Sequence, residues 1–137
     1  MSLFVDTSVW YAAADSADAS NARARDILSA GEPLVTTDHI LVESWTLLRW
    51  RLHRAAAETF WQGLRSGIAT LESVGPADLQ AAWTMGRDFP DRDFSLVDRT
   101  SFAVMERLGL ERAASFDADF AVYRWGPRRR RAFEVLR

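Results

Sequence analysis

Four carboxylates, Asp6, Glu43, Asp98 and Asp117, stand where an α/β chain can bring them together. Asp6 follows the apolar run Leu3-Phe4-Val5 and precedes Thr7 and Ser8, so it sits where a short buried strand ends. Ligands of parallel α/β sheets collect outside the carboxyl ends of the strands. A carboxylate buried there is costly unless something binds it. The pattern recurs at Arg112-Ala113-Ala114-Ser115-Phe116, a second strand, which runs into Asp117-Ala118-Asp119-Phe120. Glu43 shares a helical face with Ile40, Leu47 and Trp50, and Asp98 shares one with Phe94, Phe102 and Met105. Both are acids set in apolar stripes.

Carboxylates gathered in one place repel and raise one another's pKa values. Divalent cations relieve that cost, and hard oxygen donors suit Mg²⁺ or Mn²⁺. Such ions deprotonate a water and stabilise the attacking and leaving oxygens of a phosphodiester. This chemistry needs no Lys, Cys or His, and the chain offers few of them. It has no Cys, all 17 of its basic residues are Arg, and its only histidines are His39 and His53. The missing lysine excludes Schiff-base chemistry and a P-loop. Each acid also has a local reading. Asp98 follows Ser95 at capping-box spacing, Asp117 can cap a short helix, and Glu43 can pair with an arginine.

The elements that would position these residues alternate along the chain. Strands are expected at residues 3–5, 34–37, 68–74, 112–116 and 131–136, and helices over 9–14, 19–30, 38–52, 55–64, 76–86 and 96–108. Thr7 or Ser8 is expected to cap the first helix. Alternation of this kind implies an α/β sandwich with a mostly parallel sheet, and 137 residues without a repeat or linker imply one domain over 1–137. Right-handed crossovers would leave the ends of the first and fourth strands on one edge of the sheet.

The remaining features have plainer readings. A formal charge of −2 argues against wholesale nucleic-acid binding, but Arg128-Arg129-Arg130-Arg131 is a basic block able to hold a phosphate backbone. No apolar run approaches the roughly 20 residues of a membrane span, and no signal pattern opens the chain; with the absence of Cys, this fits the cytoplasm. His39 and His53 read as exposed. The six Trp read as core or dimer contacts, although Trp45 and Trp50 could stack bases.

Val5-Asp6-Thr7-Ser8, Glu43 within a helix, Ser95-Leu96-Val97-Asp98 followed by Ser101-Phe102-Ala103-Val104-Met105, and Phe116-Asp117-Ala118-Asp119-Phe120 together resemble the PIN domain. More narrowly they resemble the VapC toxins of bacterial type II toxin–antitoxin pairs. The resemblance covers nearly the whole chain. It implies an α/β/α sandwich, Mg²⁺-dependent endoribonuclease activity, a homodimer and a cognate VapB-like antitoxin that blocks the site. By position, Asp6, Glu43, Asp98 and Asp117 become the acidic metal-binding quartet, and Asp119 a possible assistant. Thr7 and Ser8 could bond a metal-bound water or a phosphate, and Arg128, Arg129 and Arg130 could contact RNA.

Two rivals follow from the same residues. An aspartate-nucleophile phosphatase would use Asp6, but it would need a second Asp where Ser8 stands and a lysine that is missing. A binding-only domain would hold a partner's arginine in the acidic pocket and turn nothing over.

Overall fold

Leu3, Phe4 and Val5 are fully buried, as an all-apolar strand must be when helices cover both faces of a parallel sheet. They form β1 (Leu3–Val5), the centre of a sheet completed by β2 (Leu34–Thr37), β3 (Thr70–Glu72), β4 (Arg112–Ala114) and β5 (Glu134–Leu136). The structure is a computed structural model that describes residues 1–137. The strand order is β3-β2-β1-β4-β5, and every pairing is parallel.

Between the strands run α1 (Thr7–Ala14), α2 (Asn21–Leu28), α3 (Asp38–Arg51), α4 (Arg54–Arg65), α5 (Pro76–Asp88), α6 (Leu96–Leu108) and the short α7 (Asp119–Val122). The chain steps outward from β1 to β2 to β3, then returns to lay β4 on the other side of β1. With right-handed crossovers this reversal puts α1–α4 on one face and α5–α7 on the other. Packing follows that division within each layer, since α1 meets α2, α3 and α4 while α6 meets α5 and α7, and the two layers touch where α3 meets α6. The result is the expected three-layer α/β/α sandwich. It also makes the carboxyl ends of β1 and β4, paired through Val5 and Ala114, the topological switch point where a crevice opens.

Several local expectations shift. Three strands are shorter than expected, at 70–72, 112–114 and 134–136, because only those residues find parallel partners. α1 begins at Thr7 with Asp6 in the capping position, and neither Thr7 nor Ser8 caps it. On α3 the core-facing residues are Ile40, Ser44 and Leu48, while Trp50 is 80% exposed. The stripe expected to run from Ile40 to Trp50 therefore rotates out of the core within two turns, since its later members lie off the i, i+4, i+8 line. His39 is half-buried rather than exposed, with Nδ1 3.2 Å from Thr100 Oγ1 on α6. His53 is exposed as expected and caps α4 by accepting from the Ala56 N–H.

Candidate active site

The crevice holds a cavity of about 520 Å³ whose walls include Asp6, Glu43, Asp98, Asp117 and Asp119. β1 delivers Asp6 and the turn after β4 delivers Asp117. α3 and α6 start at the same edge and deliver Glu43 and Asp98 from their early turns. Asp18 and Asp93 add two further carboxylates. The tightest group is Asp98, Asp117 and Asp119, whose ligand oxygens all lie within 4.8 Å of one another. Asp119 thus joins Asp98 and Asp117 more closely than Glu43 or Asp6 does.

Each acid is held by local chemistry. Two hydroxyls donate to Asp6 Oδ2, Ser115 Oγ at 2.8 Å and Ser8 Oγ at 2.9 Å. Ser8 Oγ in turn accepts from the Phe116 N–H, and Ser115 Oγ accepts from the Asp117 N–H. The two strand ends are therefore stitched together through these serines. Asp117 Oδ1 accepts the Asp119 N–H at 2.9 Å, and this tight turn folds the second carboxylate back beside the first. Ser95 Oγ caps α6 by accepting the Asp98 N–H at 3.0 Å, but the Asp98 carboxylate does not return a bond to the Ser95 N–H, so the capping box is only half formed and the Asp98 side chain lines the cavity. Ser115 escaped the sequence reading. Its one signal is a small hydroxyl residue at the end of an otherwise apolar strand.

The electrostatics are those of crowded acids. Burial pushes the Asp6 carboxyl up, against the opposing pull of the Ser115 and Ser8 hydroxyls. Asp98 is pushed up to about 8, first by burial and then by the charges of Asp6 and Asp117. Asp119 is also raised, by burial and by Asp117. Buried carboxylates that cost this much to ionise are what a hard divalent cation would relieve. The Thr7 hydroxyl, buried on the same wall, has no hydrogen-bond partner. An all-oxygen donor set beside an unsatisfied hydroxyl fits Mg²⁺ or Mn²⁺.

The basic block lies elsewhere, because none of Arg128, Arg129 and Arg130 lines the cavity. Arg129 donates to Asp88 Oδ2 at 2.6 Å and to the Tyr123 hydroxyl at 3.0 Å, and lies over the Phe89 ring. It is part of the packing between α5 and the chain after α7. Arg128 and Arg130 are exposed.

A parallel sheet with a carboxylate-walled crevice at its switch point is the arrangement of the PIN domain, and the PIN domain family model matches residues 3–126. The chain belongs to the PIN domain family, as an endoribonuclease toxin of the VapC type. It is 41% identical over 122 residues to the 23S rRNA-specific endonuclease VapC20 of Mycobacterium tuberculosis, in strains CDC 1551 / Oshkosh and ATCC 25618 / H37Rv alike. Those matches cover 87% of this chain and 92% of the relative. The crystal structure of M. tuberculosis VapC20, described as a sarcin–ricin loop cleaving toxin, superposes with a TM-score of 0.83 at 35% identity. That superposition covers 88% of this chain and 93% of VapC20.

Proposed function

We propose that this protein, a single PIN domain over 1–137, cuts 23S rRNA in the sarcin–ricin loop, using a divalent cation held by Asp98, Asp117 and Asp119. Asp6 and Glu43 complete the acidic wall. The observation that carries this reading is the convergence of those three carboxylates, with oxygens within 4.8 Å, in a crevice that Asp6 and Glu43 also line. The target follows the relative's specificity, at 41% identity over most of both chains.

A bound Mg²⁺ or Mn²⁺ would supply Lewis-acid activation of a water and neutralise charge building on the phosphodiester. The protein's own residues do the rest. Ser8 and Ser115 fix the orientation of Asp6, and the Asp117–Asp119 turn fixes two ligands from one loop. Thr7, whose buried hydroxyl has no partner in the protein, would bond a phosphate oxygen or a water. The carboxylates act as ligands and not as nucleophiles. Arg128 and Arg130, free of the contacts that occupy Arg129, remain candidates for RNA outside the cavity. VapC toxins act on RNA and pair with VapB antitoxins. For this chain the same reading comprises a cytoplasmic homodimer off the membrane, restrained by a VapB-like partner. No helix is long and apolar enough to cross a membrane.

The test is incubation of purified, antitoxin-free protein with ribosomes and Mg²⁺, followed by primer extension over 23S rRNA. One stop inside the sarcin–ricin loop is expected. A cut elsewhere would overturn the target. Intact RNA of every class would overturn the nuclease and favour a pocket that only holds a partner's arginine.

A further inference from the structure

We propose that Arg51, at the end of α3, binds the RNA backbone beside the scissile bond, with the Tyr11 ring as the platform that holds its guanidinium in place. The inference rests on the nuclease reading above and names a residue that acts on binding, outside the acidic cluster.

Arg51 is the one cation on a cavity wall that carries seven carboxylates. A metal ion offsets charge at the scissile phosphate, but the phosphates on either side of it meet acidic walls. Neutralising backbone phosphates with Arg or Lys is the dominant source of affinity for nucleic acid. Arg51 has that capacity to spare. The ion pairs of the structure engage Arg54, Arg107, Arg112 and Arg129, whereas Arg51 pairs with no carboxylate despite its surroundings. It is exposed, and its guanidinium carbon lies 5.4 Å from the centroid of the Tyr11 ring. A guanidinium held beside an aromatic ring, with no carboxylate partner, keeps donors available for a phosphate.

The platform is rigid. Tyr11 is 9% exposed on α1, and its hydroxyl donates to Asp15 Oδ2 at 2.7 Å. Tyr11 and Arg51 both line the cavity. Along α3, Glu43, Leu47 and Arg51 line it at i, i+4 and i+8, which separates the acid from the guanidinium-bearing residue by two turns, about 12 Å of helix. Arg51 therefore stands beyond the metal-binding carboxylates, where an adjoining phosphate rather than the scissile one would pass.

The test measures binding of a labelled sarcin–ricin hairpin RNA, by anisotropy over a salt series in Mg²⁺, to Asp98→Asn protein that does not cut. Adding Arg51→Gln should weaken Kd about tenfold, the worth of one charged hydrogen bond. It should also reduce the slope of log K against log salt by about 0.7, one single-strand phosphate contact. Arg51→Lys should restore the slope but only part of the affinity. In protein that cuts, Arg51→Gln should raise KM by more than it lowers kcat. An unchanged Kd and slope would overturn the assignment. So would an equal loss from Arg49→Gln, an exposed neighbour outside the cavity, because the effect would then be general charge. Wild-type protein that cuts no RNA would instead overturn the nuclease reading, and this assignment with it.

Discussion

Asp6 shows how much of the site depends on single hydroxyls. Its Oδ2 is held from two sides, by Ser8 on its own helix and by Ser115 from the neighbouring strand end. Removing a donor that orients a metal-binding carboxylate typically changes metal affinity or activity about 10–100-fold. Ser115→Ala should therefore lower RNA cleavage about tenfold or more and weaken Mg²⁺ binding, while the thermal melt stays within a few degrees of wild type. Titration of Mg²⁺ against cleavage rate, beside a circular dichroism melt, reads both. Full activity would show that Ser115 does not orient Asp6. At this scale the sequence was partly legible. A carboxylate at each of two strand ends marks Asp6 and Asp117, since burying either is costly without a ligand. Asp119 looked secondary because its place beside Asp98 depends on a turn in which its own N–H bonds back to Asp117. Spacing alone does not reveal such a turn.

Among the elements, α5 and α6 form a packed pair on the face opposite α1–α4, and one ion pair bolts them together. Arg107 donates from Nε to Asp78 Oδ1 at 3.0 Å and from Nη2 to Oδ2 at 3.1 Å, and Oδ2 also accepts the Gly75 N–H. Burial alone would raise the Asp78 carboxyl, but the Arg107 guanidinium and that N–H hold it below the ordinary value. A carboxyl lowered on folding contributes stability above its unfolded pKa of about 4 and loses it as pH falls through its folded pKa. Asp78 is 4% exposed and Arg107 42%, so Arg107→Gln should cost about 1–3 kcal/mol at pH 7, below the figure for a fully buried pair. The deficit should shrink as pH drops below about 4. Urea midpoints at pH 7 and at pH 3 measure this, and equal midpoints at pH 7 would contradict it. Neither partner stood out in the sequence, since a pair 29 residues apart has no local signature. Helix identities were legible from apolar spacing and from stops such as Gly109, whose φ of 70° closes α6 in the left-handed region. Strand lengths were not, because parallel pairing and not propensity ends β3, β4 and β5.

At the scale of the whole molecule, the strand order explains why acids far apart in sequence meet. Placing β4 beside β1 and reversing the direction of winding there brings two strand ends and two helix starts to one crevice. The alternation of elements and the carboxylates at their ends could be read from the chain. The dual role of its arginines could not. Arg129 is spent on Asp88 and Tyr123, while Arg51 lies against Tyr11 on the acidic wall without a carboxylate partner. Which guanidinium is occupied is decided by tertiary neighbours. The central claim, that these converging carboxylates hold a cation which cuts RNA, is tested most directly by one cleavage assay. Wild type and Asp98→Asn are incubated with 23S rRNA in Mg²⁺ and in EDTA, with folding checked by circular dichroism. Fragments only from wild type in Mg²⁺, with Asp98→Asn folded but at least about 100-fold slower, are predicted; fragments from Asp98→Asn at the wild-type rate, or from either protein in EDTA, would contradict it.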